Sequence, residues 1–231
     1  APTDGNTENT LLGLTLNSRL SPAWRIELAA SDYRTPTDVS RTPTTGASGV
    51  QPGSAGGAGR ISFGDGTGWR NFDARAIWKP AGGAHAATFG YHHDRYHIAS
   101  SQYNAVNWRD DGSVTTLRNA FEGDTRTDAL YAQDVWKFAP AWSATVGLRQ
   151  ERWQALDGTR ASDTPFSDPN GVLVTSFAYS DRKENFTSPK FSLAWQATPD
   201  WQVRGSLARA WRMPTVSELF QTETRAAGTF I

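Results

Sequence analysis

Four prolines set the plan of this chain. Pro22, Pro80, Pro140 and Pro199 follow one another at spacings of 58, 60 and 59 residues. Each sits in a short turn between two stretches in which apolar and polar residues alternate. In the last pair, Phe191, Leu193 and Trp195 share one face, and Lys190, Ser192 and Gln196 share the other. After the Thr198-Pro199-Asp200 turn, Trp201, Val203, Gly205 and Leu207 oppose Gln202, Arg204, Ser206 and Ala208. A period of two with one greasy face is the mark of a strand between two different surroundings. A repeat of strand, tight turn, strand and long connection, four times over, restricts the chain to an all-β architecture.

The other pairs follow the same rule. Leu11–Leu20 and Trp24–Tyr33 flank Pro22; Trp69–Lys79 and Ala86–His97 flank Pro80; Thr125–Phe138 and Trp142–Arg152 flank Pro140. About eight antiparallel, up-and-down strands are expected. In Thr125–Phe138 the phase is mixed, because Asp134 shares a side with Leu130, Ala132 and Trp136. Between the pairs lie three polar stretches: Arg34–Gly68, Ala99–Gly123 and Gln154–Glu184. They read as long loops at the rim opposite the short turns. The first holds the glycine-rich tract Gly53–Gly68, which follows no periodic strand and opens no helix. It therefore fails the context of a phosphate loop and reads as a flexible outer loop.

Three features favour strands that cross a membrane. Short turns at one rim and long loops at the other are the habit of outer-membrane barrels. Trp24, Trp78, Trp136, Trp142, Trp195 and Trp201 all lie within four residues of a turn proline. Indole prefers the headgroup zone, so these six read as an interfacial girdle. Trp69, Trp153 and Trp211 sit near the other strand ends, where a second girdle would lie. Finally, the polar faces carry charges in mid-strand, among them Arg25, Glu27, Asp73, Arg75, Arg149, Glu151 and Arg204. A wet lumen tolerates these and a dry sandwich core does not. The content of 38% hydrophobic residues fits such strands, since half their positions face the lumen.

Composition excludes several functions. Acidic and basic residues balance at 23 each, so no overall field steers the molecule to nucleic acid. Cysteine is absent, which removes disulfides and thiolate metal sites. No Ser/His/Asp set or carboxylate pair stands out, so no enzyme and no cofactor are predicted. His92 and His93 point to opposite faces of a strand and cannot chelate together, so no metal site is predicted either.

Two segments then carry a family resemblance. Tyr131, Gln133, Asp134 and Trp136 before a turn, with Gly147, Leu148 and Arg149 after it, resemble a recurrent strand-turn-strand of TonB-dependent outer-membrane receptors. Ser188-Pro189-Lys190, then Arg209-Ala210-Trp211-Arg212-Met213-Pro214-Thr215, then Glu218-Leu219-Phe220, is similar to that family's SPK…RAFRxPTxxEL signature. The resemblance implies a transmembrane β-barrel segment, with 1–231 as a partial receptor barrel. The plug domain and C-terminal strands of the family find no counterpart in this sequence. It implies an outer-membrane location in a Gram-negative bacterium, with lipid around the barrel. It implies TonB-energised uptake of a scarce ligand such as a ferric siderophore, with TonB acting through a plug domain. His92, His97, Arg212 and Glu218 fall at the outer mouth and are the candidate ligand contacts. The alternatives are a small eight-stranded outer-membrane barrel with a structural or adhesive role, and a soluble Trp-rich carbohydrate-binding β-protein.

Overall fold

The computed structural model describes residues 3–44 and 56–220. Ten strands form one antiparallel sheet: β1 (Asp4–Arg19), β2 (Trp24–Pro43), β3 (Gly59–Phe63), β4 (Gly68–Trp78), β5 (His85–Ala105), β6 (Val114–Ala139), β7 (Trp142–Ser167), β8 (Leu173–Ala178), β9 (Arg182–Gln196) and β10 (Gln202–Ala208). A short helix, α1 (Val216–Phe220), follows. Successive strands pair, except that β3 and β4 lie end to end between β2 and β5, and β8 and β9 lie end to end beside β7. Among the described residues β1 pairs only with β2, and β10 only with β9. The first-to-last ladder of a small closed barrel is therefore not formed among them.

All eight expected strands are present, and all four proline turns lie at one end. At Ala139↔Trp142 the turn is the two residues Pro140 and Ala141. At Pro80 the chain closes with Gly83 N donating to Pro80 O at 3.1 Å, and Gly82 takes a positive φ that suits glycine.

The expectation of three long loops is corrected. β2 runs on to Pro43, β5 to Ala105 and β7 to Ser167, while β6 begins at Val114 and β9 at Arg182. Between β5 and β6 only a short connection remains, with a single 3₁₀ turn at Asp111–Ser113. The tract Gly53–Gly68 contains strand β3, and its residues 53–55 lie outside the described ones. The physical reason is solvent. Alternation marks a sheet with one wet and one apolar face. Further along, both faces are wet, so ladder hydrogen bonds continue without that pattern.

Register assigns the faces. Leu16↔Leu28, Leu28↔Ala74, Ala74↔Tyr91, Tyr91↔Leu130 and then Ala132↔Leu148 all share one side. Phe191 and Leu207 continue it on β9 and β10. These side chains are turned outward: Leu14 is 72% exposed and Leu207 77%. An exposed apolar band of this width is far larger than a soluble monomer leaves open. Asp134 interrupts it beside the turn, where His85 Nδ1 lies 2.6 Å from its carboxylate.

The buried core is elsewhere, high on the opposite face. Trp153, Ala155, Val216 and Phe220 form it, with Ile98, Phe121, Tyr179, Phe186 and Met213 packed around. Trp211 lies against Phe186, ring centres 5.1 Å apart, and its indole N–H donates to Thr187 O at 3.2 Å. The expected second girdle is thereby corrected. Trp69 stacks on Tyr33 at 5.7 Å, and Trp153 is 2% exposed beneath α1. Trp69 and Trp153 lie on the polar face because their strand parity is opposite to that of the apolar band, and Trp211, beyond the end of β10, is brought there by the chain crossing past Phe186.

Candidate functional site

The face opposite the apolar band is a charged wall. One cross-strand row reads Glu27, Arg75, Gly90, Tyr131, Arg149, Ser188. Arg75 donates to Glu27, with Nε at 2.8 Å, and Arg25 Nε lies 2.9 Å from the same carboxylate. Arg149 pairs with Glu151 at 2.8 Å, and its guanidinium sits 5.9 Å from the Tyr131 ring centre. Tyr131 lies flat on Gly90: a Cβ there would meet the ring at 2.1 Å. Glycine at this point lets the aromatic ring cross the strand, the fit described for ring-over-glycine pairs in sheets. Below and beside the ring are two open clefts of about 320 and 350 Å³, both touching Asp73 and Tyr131.

His92 belongs to the next row of this wall. Its Nδ1 is 2.8 Å from Asp73 Oδ1, and its Nε2 is 3.4 Å from Asp94 Oδ2. His97 does not join it. An odd number of positions separates the two, so they lie on opposite faces of β5. His97 instead faces outward, with Nδ1 3.4 Å from Asp124. His93 also faces outward, 2.9 Å from Asp128. No group of three or more His, Asp or Glu side chains suited to a metal ion occurs among the described residues.

Arg212 and Glu218 are brought together. Pro189 explains how the chain reaches them. Its carbonyl accepts from Arg209 N at 3.0 Å, but it has no N–H to return, and the β10 ladder ends at Ala208. The chain then crosses the charged face past Phe186 and turns into α1. Thr215 and Glu218 form a capping box: the Glu218 carboxylate accepts from Thr215 N at 2.8 Å, and Thr215 Oγ1 accepts from Glu218 N at 3.3 Å. Arg212 Nη2 donates to the other carboxylate oxygen at 2.5 Å. The Arg212 bond first, then the Thr215 N–H, holds the Glu218 carboxyl below its ordinary value of 4.5. The pair pins the start of α1, so that Phe220 inserts between Gly123 and Gly158 and against Tyr179. Sequence reasoning missed this wedge. Its signal was the capping box followed by an apolar pair.

Five of the six turn-side indoles have an aromatic neighbour beside them. Trp24 lies opposite Trp78 at 6.5 Å, and Trp142 stacks on Trp195 at 5.5 Å. Trp136 stacks on His85 at 5.8 Å and reaches Trp142 through Phe138. Trp201 is 71% exposed at the end of the row.

Similar solved structures are receptors and transporters of one kind. The copper transporter OprC superposes with a TM-score of 0.62 at 16% identity, over 94% of this chain and 32% of that one. The ferric citrate transporter FecA, unliganded, gives 0.59 at 14%, over 86% and 26%. The ferric yersiniabactin uptake receptor FyuA from Yersinia pestis gives 0.53 at 11%, over 87% and 27%. The chain thus spans about a quarter to a third of the length of these proteins. No curated protein matches the sequence. Residues 1–230 match the family described as TonB dependent receptor-like, beta-barrel. An antiparallel sheet with an apolar outer band, a charged inner wall and tight turns at one end is the barrel wall of that family, and this chain belongs to it.

Proposed function

We propose that this wall belongs to an outer-membrane receptor of a Gram-negative bacterium that takes up a scarce metal chelate, a ferric siderophore being the first candidate. The mechanism is binding and passage rather than catalysis. The observation that carries the reading is the pair of faces: an exposed apolar band that only lipid would cover, backed by a row of charges that only a wet interior would hold. Energy would come through TonB acting on a plug domain within the barrel. The family and the ferric citrate and ferric yersiniabactin receptors support that reading. His92, Arg212 and Glu218 are proposed to face the ligand's path, and the six turn-side tryptophans to mark the inner interface of the bilayer. His97, on the other face, is given no ligand role.

The test is uptake. In iron-limited cells, deleting the gene that encodes this chain should abolish accumulation of a labelled ferric siderophore. Collapsing the proton gradient should do the same in the parent strain. Undiminished accumulation of every ferric chelate tried, alongside a lost uptake of cobalamin or copper, would replace the siderophore with that ligand.

A further inference from the structure

We propose that the outward face of this wall carries a site for the phosphate groups of outer-leaflet lipid, centred on Arg34, Arg70 and Arg95. The proposal rests on the membrane reading above. Above the apolar row Leu28–Ala74–Tyr91–Leu130, two pairs further along the strands, the register places Asp32, Arg70, Arg95 and Arg126 side by side on the same face. Two residues of strand rise about 7 Å, so this row stands about 14 Å from the last fully apolar one. Arg95 lies about 20 Å along β5 from Phe89, or about 15 Å in height at a tilt of about 40°, which is where the hydrocarbon core gives way to headgroups. Arg34 on β2 and Arg152 on β7 widen the row on the same side.

The arrangement differs from a self-contained salt-bridge network in one respect. The carboxylates lie beneath and the guanidinium groups lie outside. The side chains of Asp32, Asp124 and Asp128 are 23%, 5% and 20% exposed, against 64%, 63% and 52% for Arg34, Arg70 and Arg95. Asp32 holds both Arg34 and Arg70, at 2.6 and 2.7 Å. Asp124 holds Arg95 at 2.9 Å, and Asp128 holds Arg126 at 2.8 Å. Arg34 and Arg126 give Nε and Nη2 to their carboxylates and Arg95 gives Nε, which leaves further N–H donors on each guanidinium. Arg152 is exposed and has no carboxylate within 4.0 Å among the described residues. Arg34, Arg70, Arg95, His97 and Asp124 border a cleft of about 310 Å³. A planar fork with free donors is the chemistry that grips phosphate. A basic cleft at headgroup height, continuous with a lipid-covered band, selects a phosphate carried on a lipid over one in solution.

The test uses the full-length receptor. It is incorporated into phosphatidylcholine vesicles, with or without a minor fraction of a bis-phosphorylated glucosamine lipid, and retention of that lipid is read after flotation and re-extraction. Expected are selective retention of the phosphorylated lipid, loss of retention when it is dephosphorylated, and little competition from inorganic phosphate. The combined Arg34→Gln, Arg70→Gln and Arg95→Gln variant should bind on the order of a hundredfold more weakly. The corresponding Lys variant should keep most of the binding and show that the fold survives. Equal retention by the Gln variant or of the dephosphorylated lipid overturns the proposal, as does full competition by inorganic phosphate. Failure of the receptor to float with any vesicle overturns the membrane reading itself.

Discussion

At the scale of single residues, two close contacts set expectations. Gly90 is required because the Tyr131 ring occupies the space of its Cβ. Gly90→Val should displace the ring and lower stability by about 1–3 kcal/mol, the usual cost of overpacking. Adding Tyr131→Ala should recover part of the loss. Urea unfolding in phospholipid vesicles measures both, and full additivity of the two changes would refute the coupling. Glu218 is the second. Its carboxyl is held below 4.5 in the folded chain by Arg212 and then by Thr215. The stabilisation it lends to α1 is therefore complete above its unfolded pKa and disappears as pH falls through the folded value. Acid titration should release α1 and expose Trp153, seen as increased acrylamide quenching. In Glu218→Gln that acid step should be absent. Persistence of the same step in Glu218→Gln would assign it to another group.

The same scale shows what a sequence reader could have settled. Parity alone separates His92 from His97 and turns Trp69 and Trp153 away from the lipid side, since each position's number fixes its face once a strand is placed. The row from Glu27 to Arg149 was harder to see, because it needs the register of four pairings. That register is set by the hydrophobic pattern together with the turns, and two of the pairings, β2–β4 and β5–β6, have no tight turn to fix them.

Among the elements, α1 is the one whose role depends on tertiary contact. Five residues are too few for a helix to hold alone. It is held by the capping box and by Phe220, 4% exposed between two glycine-bearing strands. Phe220→Ala should cost about 3–5 kcal/mol locally. Because the ladders of β6 and β7 do not depend on it, the loss should appear as faster amide exchange in 211–220 with the sheet unchanged. A fall in global stability of the same size would show that the wedge supports the sheet as well. The long strands teach the complementary lesson. Their membrane-facing parts were legible as alternation, and their upper parts read as loops, because alternation vanishes where both faces meet water.

For the whole molecule, the two faces make opposite demands. Phe89 lies in the apolar band, and its neighbour Thr88 lies on the charged wall opposite Gln133 and Ile77. Phe89→Arg should cost about 2–4 kcal/mol near mid-membrane, while Thr88→Arg should cost far less. Unfolding in vesicles of each variant decides this, and equal costs would mean the faces are assigned wrongly. The fold was legible here because the four proline turns reset the same pattern each time. The wedge and the cationic row were not, since each joins residues that only the finished sheet makes neighbours.

Height follows from strand length. β6 and β7 have 26 residues each. At about 3.3 Å per residue they are roughly 85 Å long, or roughly 65 Å tall once tilted by about 40°. The apolar band of such barrels takes up only about 25 Å of that. Roughly 40 Å of the hairpin therefore lies beyond the apolar band, and part of it beyond the headgroups. In the proposed orientation that tip is the part of the wall that a large agent arriving from outside, such as an antibody, meets first.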